Sequence, residues 1–224
     1  MKLEIYNLNF FRSPFFLPVL YPQLLWRIDT ASKELYLTFD DGPVPGPTDF
    51  VLEELKKWNA RATFFCIGDN VKKYPDVFKK VVGEGHAIGN HTFNHLSGWS
   101  TTRKHYLENV QKCNDVLSHS TPVTSDQYPM AGQRTLFRPP YGRITRNQIK
   151  LLTKFKIVMW DVLTHDYAKS LSPNRCLEGT IAATRPGSII VFHDSLKAEK
   201  NMRYVLPLFM EHFTNHGYTF KSLR

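Results

Sequence analysis

Four short segments carry residue types that could perform a hydrolysis. In Thr38-Phe39-Asp40-Asp41-Gly42-Pro43, two adjacent carboxylates close an apolar run before a sharp Gly-Pro turn. Neighbouring side chains of a strand point to opposite sides, so one acid can ligate a metal while the other reaches an attacking water. Asp-Asp-Gly is also an ordinary solvated turn, and by itself it decides nothing. The second segment is His91-Thr92-Phe93-Asn94-His95. Histidines four apart share one face of a helix, and Gly89-Asn90 would be the loop from which that helix begins. Joined by a carboxylate, two histidines make a three-ligand site with an open position for water, the pattern of a catalytic metal. Two surface histidines are the plainer explanation of such a pair on its own.

The third segment, Phe137-Arg138-Pro139-Pro140-Tyr141-Gly142, contains two prolines that stiffen the backbone and remove two N–H donors. A stiff loop would hold Arg138 and the Tyr141 N–H in preset directions, and such an N–H can stabilise an oxyanion. The fourth, Ser188-Ile189-Ile190-Val191-Phe192-His193-Asp194, delivers a histidine at the end of an apolar strand. Imidazole titrates near neutrality, which makes His193 a candidate general acid.

The elements that must position these residues alternate. Glu34 to Phe39 reads as a strand with Leu35, Leu37 and Phe39 on one face. A helix follows Pro47, with Val51, Leu52, Leu55 and Trp58 as its apolar stripe. Ala62 to Ile67 is a second strand, Val71 to Val82 a second helix, and His86 to Ile88 a short strand. Tyr106, Val110, Cys113 and Leu117 mark a longer helix. Thr135 to Arg138, Lys156 to Asp161, Gly187 to His193 and Tyr218 to Ser222 read as further strands, and Val205, Leu206, Phe209 and Phe213 define a late helix. The alternation predicts an α/β fold, a distorted (β/α) barrel of about seven parallel strands. In such folds the site lies at the carboxyl ends of the strands, where Asp40, Asp41, His91, Arg138, Asp161 and His193 fall.

The 224 residues suit one compact domain, with residues 1–33 as an N-terminal extension packed on it and 34–224 as the catalytic domain. A net charge of +9 permits anionic partners, but the basic residues are dispersed and no nucleic-acid motif is present. Cys66, Cys113 and Cys176 lack paired spacing and read as core residues. Phe10 to Leu20 is too short to span a membrane, and prolines 14, 18 and 22 interrupt any signal-peptide core. The expected compartment is the cytoplasm, with membrane-surface attachment as the second expectation.

Taken in order, Thr38 to Pro43, His91 to His95, Arg138 to Gly142, Trp160 to Tyr167 and Val191 to Asp194 resemble the motifs of the polysaccharide deacetylase family, the NodB-homology group of carbohydrate esterase family 4. The resemblance covers about residues 34 to 220. It implies hydrolysis of an acetyl group on an acetylated amino-sugar glycan or oligosaccharide, with one divalent cation: zinc first, then cobalt, nickel or manganese. Under it, Asp40 would be the general base; Asp41, His91 and His95 the metal ligands; Arg138 the residue holding the base. Tyr141 would supply the oxyanion N–H, His193 the general acid, and Trp160 and Val191 part of the acetyl-methyl pocket. Trp160 to Tyr167 departs from the family pattern. Leu163 stands where an acid is frequent, and Tyr167 where tryptophan is usual, which alters the sugar-contact surface. The acid tuning the charge network is therefore Asp161 or Asp166. A hydrolase of a non-sugar cyclic amide and a glycan-binding pseudoenzyme are the alternatives.

Overall fold

The computed structural model describes residues 11–121 and 134–223. Eight parallel-paired strands are present among them: β1 (Glu34–Asp40), β2 (Thr63–Cys66), β3 (Ala87–Asn90), β4 (Thr135–Phe137), β5 (Phe155–Ile157), β6 (Val162–Leu163), β7 (Ile189–His193) and β8 (Thr219–Phe220). Seven follow the order β5-β4-β3-β2-β1-β7-β6, and β8 pairs with the start of β1. The sheet curls into a half-barrel, so the architecture expected from the alternation is the one observed. The strand expected over 156–161 is divided. Phe155–Ile157 pairs with β4, whereas Val162–Leu163 pairs with β7, so one run of chain reaches both edges of the curled sheet.

The helices are α1 (Phe16–Leu20), α2 (Pro47–Lys57), α3 (Gly68–Lys73), α4 (Pro75–Gly83), α5 (Arg103–Ser120), α6 (Arg146–Leu151), α7 (Pro173–Ala183) and α8 (Glu199–Asn215). The single helix expected over 71–82 is two, because Pro75 cannot continue the helix before it and instead opens α4 at its first turn.

Strand alternation explains the two sides of the sheet. Leu35, Leu37 and Phe39 of β1 and Ile190 and Phe192 of β7 join the large core beneath the outer helices. Tyr36 and Ile189 face the other way, toward Phe65, Leu136 and Val158 inside the barrel. Thr38, Asp40, Val191 and His193 continue that inward face by the period of two. Register then aligns the carboxyl ends: Asp40 pairs with His193 and Phe65, Cys66 with Asn90, and Asn90 with Phe137. The polar residues that follow these ends converge on one mouth.

Residues 11–33 lie along the barrel. Leu24 and Trp26 are buried, the Leu25 N–H donates to Ile157 O at 2.9 Å, and Ser13 Oγ donates to Trp160 O at 2.7 Å. In α1, by contrast, every residue retains some exposure. Cys66, Cys113 and Cys176 are buried, the core placement expected of them. No helix among the described residues is long and apolar enough to cross a membrane.

Candidate active site

Asp40 ends β1 pointing inward, 4% exposed. Its Oδ1 accepts from Arg138 Nη1 at 2.8 Å. Arg138 is fully buried, which is tolerable because four of its N–H donors are spent. Nη1 also donates to Thr38 Oγ1 at 2.7 Å, Nη2 to Met159 O at 2.8 Å and Nε to Val158 O at 3.3 Å, while the guanidinium lies 4.1 Å from the Phe65 ring. The pair is therefore rigid, with Asp40 Oδ2 left to face the site.

Asp41 leaves the strand with φ of 80°, which returns its side chain to the same mouth instead of the opposite face. Its Oδ1 is buried and makes no directed hydrogen bond. It faces His95 Nε2 at 3.1 Å and His91 Nε2 at 3.7 Å. The ligand atoms of Asp41, His91 and His95 all lie within 4.8 Å of one another. His91 Nδ1 sits 2.8 Å from Arg138 O and donates to it, so Nε2 carries the lone pair. Burial holds the His91 pKa down to about 4, against the pull of Asp40. Burial alone would raise the Asp41 carboxyl, but contact with His95 and the charges of His193, His91 and His95 hold it below the usual carboxylate range. A buried oxygen without a hydrogen, facing two imidazole nitrogens, fits a divalent cation: two N donors and one O suit zinc and its neighbours.

The His91–His95 segment is not helical. Gly89 and Asn90 belong to β3, and Thr92 and His95 have φ of 62° and 55°. The loop is held by side-chain amides: Asn90 Oδ1 accepts from Thr92 N, and Asn109 Oδ1 accepts from both Phe93 N and Asn94 N, at 2.8–3.0 Å. These amides satisfy the backbone donors a helix turn would otherwise use, so the four-residue spacing converges through left-handed residues instead of a helical face. Asn109 was legible as an oddity, a polar residue one turn from Tyr106 on the apolar stripe of α5.

Asp194 is a second residue that motif reasoning passed over. It is fully buried; Oδ1 accepts from Gly42 N at 3.0 Å and Oδ2 from Thr48 Oγ1 at 2.6 Å. A Cβ on Gly42 would stand 2.0 Å from Asp194 Oδ2, so glycine is required for this close approach. Asn70 Nδ2 donates to Asp41 O at 2.7 Å, and with Asp194 it fixes the turn presenting Asp41.

On the opposite wall, His193 Nδ1 donates to Asp166 Oδ1 at 2.7 Å, and the His193 N–H donates to Asp166 Oδ2 at 2.8 Å. Burial would depress this imidazole, but the Asp166 carboxylate outweighs it and, with Asp41 and Asp40, raises the pKa to about 9. Asp161 does not reach the pocket. Its carboxylate is taken by Arg185 and by Ser188 Oγ at 2.7 Å. Between Asp161 and Asp166, the acid beside the candidate general acid is Asp166.

A cavity of about 450 Å³ joins these parts, lined among others by Asp40, Asp41, His91, His95, Tyr141, Trp160, Leu163, Tyr167, Val191 and His193. Tyr141 holds φ of 60° in a turn fixed by Pro139 and Pro140, and its ring lies 4.6 Å from that of His95. Gly142 allows Trp160 to close in, since a Cβ there would stand 2.6 Å from the indole.

A curled parallel sheet carries an Asp-His-His cluster at this mouth, and comparison places the chain: it belongs to the polysaccharide deacetylase family, which matches residues 27–160. It is 37% identical over 165 residues to a peptidoglycan-N-acetylglucosamine deacetylase of Bacillus cereus, covering 72% of this chain and 56% of that protein. It is 35% identical over 169 residues to a chitooligosaccharide deacetylase of a Bradyrhizobium strain, covering 74% and 72%. The fold superposes on the crystal structure of the Bc1960 peptidoglycan N-acetylglucosamine deacetylase, in complex with 4-naphthalen-1-yl-N-oxidanyl-benzamide, with a TM-score of 0.82 at 30% identity. That match covers 94% of this chain and 95% of the other. The chain thus spans little more than half the length of the Bacillus cereus relative.

Proposed function

We propose that this chain is a metal-dependent deacetylase that removes the N-acetyl group of an amino-sugar glycan or oligosaccharide, of the peptidoglycan or chitooligosaccharide type, releasing acetate. The observation that carries the reading is the convergence, in one cavity, of an Arg-held carboxylate, an Asp-His-His ligand set and an Asp-supported imidazole. Asp41, His91 and His95 would hold the cation, zinc by first preference; when bound it supplies Lewis-acid polarisation of the acetamide carbonyl and acidifies its water.

Asp40 takes the proton from the attacking water. The Arg138 bond to Oδ1 keeps Oδ2 aimed into the mouth. The Tyr141 N–H donates to the oxyanion as it forms; a donor of this kind supplies about 3 kcal/mol. His193, protonated because Asp166 stabilises its imidazolium, gives its proton to the departing amine, a poor leaving group otherwise. Trp160, Leu163 and Val191 form the apolar side that receives the acetyl methyl, and Tyr167 beside His193 offers a ring to the sugar. Acetate release from acetylated chitooligosaccharides and peptidoglycan fragments, by chelator-stripped and zinc-reconstituted protein, tests the reading. Release restored by metal supports it; metal-bound protein inert on every glycan contradicts it.

A further inference from the structure

Two cations stand at the mouth of the cavity, Arg143 and Lys197, and neither is ion-paired among the described residues. Each is held over an aromatic ring. The Arg143 guanidinium lies 5.6 Å from the Tyr141 ring and 5.4 Å from the Trp99 ring, and Lys197 Nζ lies 5.1 Å from the Tyr167 ring. Those rings in turn rest on the reacting residues, Tyr141 at 4.6 Å from His95 and Tyr167 at 4.9 Å from His193. The two charges thus flank the mouth, one ring outside the ligand wall and one ring outside the imidazole wall.

The carboxylates lining the cavity are Asp40 and Asp41, and both are committed inward, Asp40 to Arg138 and Asp41 to the histidine pair. Among the described residues, nothing negative at the rim answers Arg143 or Lys197. Resting on aromatic faces restricts their side chains before a ligand arrives, which lowers the ordering cost of using them. A neutral acetylated sugar needs hydrogen bonds and stacking, not a pair of unanswered cations. Arginine presents a planar fork matched to a carboxylate or phosphate, and lysine adds a point charge from the other side.

We propose that Arg143 and Lys197 are specificity-determining residues for an anionic substrate: an acetylated amino sugar carrying a carboxylate or phosphate on the reacting unit or its neighbour. The proposal rests on the deacetylase reading of the same site. Its test compares zinc-loaded wild type with Arg143→Gln and Lys197→Gln on three substrates: a neutral acetylated chitooligosaccharide, a muramic-acid-containing oligosaccharide and N-acetylglucosamine 1-phosphate. In wild type, kcat/KM for one acidic substrate should exceed that for the neutral one by about tenfold, and each variant should reduce that ratio by about tenfold. The acidic substrate that shows the gain identifies carboxylate or phosphate as the source. Equal turnover of acidic and neutral substrates, or a ratio unmoved by both variants, overturns the proposal while leaving the deacetylase reading intact. If no substrate is turned over, equilibrium binding of the same three compounds decides. Tighter binding of an acidic compound that both variants abolish upholds the anion site and rejects the deacetylase reading; equal binding by wild type and variants rejects the anion site.

Discussion

The two oxygens of Asp166 are both occupied by His193, one by its ring Nδ1 at 2.7 Å and one by its backbone N–H at 2.8 Å. A carboxylate bound twice to one residue fixes both the tautomer and the rotation of that ring, leaving Nε2 for the cavity. The Asp166→Asn variant should keep the fold and lose about a hundredfold in kcat, within the range of general-acid catalysis. Because Asp166 raises the His193 pKa and the protonated ring is the active form, activity is held until pH rises through that pKa. The alkaline limb of the kcat profile should therefore move to lower pH in the variant. An unmoved limb contradicts the assignment.

Arg138 presents a different balance. It is fully buried and shares its charge with Asp40, itself nearly buried. In Arg138→Met, Asp40 keeps its burial and loses its cation, a change that costs about 3–5 kcal/mol in comparable pairs. Urea denaturation should show a loss of that order together with loss of turnover. A stability change under 1 kcal/mol would mean that Asp40 finds another partner.

Gly42→Ala addresses the turn. The new methyl would meet Asp194 Oδ2 at 2.0 Å, so the turn carrying Asp41 has to move. Zinc affinity, measured by competition with a chromogenic chelator, should fall by about tenfold or more, as for other changes to the groups supporting metal ligands. Unchanged affinity would separate Asp194 from the geometry of Asp41.

Away from the mouth, His86 is 1% exposed, its Nδ1 accepts from Ala62 N at 3.3 Å, and its buried Nε2 makes no hydrogen bond among the described residues, with Glu84 Oε2 4.0 Å away. Burial, aided by Arg61, lowers its pKa to about 4. Between about 4 and 6.5 the unfolded chain then binds a proton that the folded chain refuses, so stability rises with pH across that window. Unfolding free energies measured from pH 4 to pH 7 should rise less steeply in His86→Gln than in wild type. Identical slopes contradict the assignment.

The barrel and the ends of its strands were legible because period-two alternation in β1 and β7 is clear, and because Asp40 and His193 close apolar runs. The His91–His95 segment was misread as helix. Its spacing fits a helical face, while its true support comes from Asn109, which lies on α5 and reaches the segment only in the folded chain, accepting from Phe93 N and Asn94 N and donating to Asn94 Oδ1. Choosing between Asp161 and Asp166 needed the fold: both are near β6, and only tertiary placement sends Asp161 to Arg185 and Ser188 and Asp166 to His193. The split of residues 155–163 between two sheet edges was equally hidden, since both halves are similarly apolar.

The central claim is that Asp40 takes the proton while Asp41, His91 and His95 hold the metal, and the most direct test measures both quantities on the same variants. Zinc content and acetate release should be determined together for wild type, Asp40→Asn and His95→Ala. The account predicts that Asp40→Asn retains zinc while acetate release falls by about a thousandfold, the scale of losing a general base. It predicts that His95→Ala loses both. Acetate release by Asp40→Asn at the wild-type rate would contradict the account.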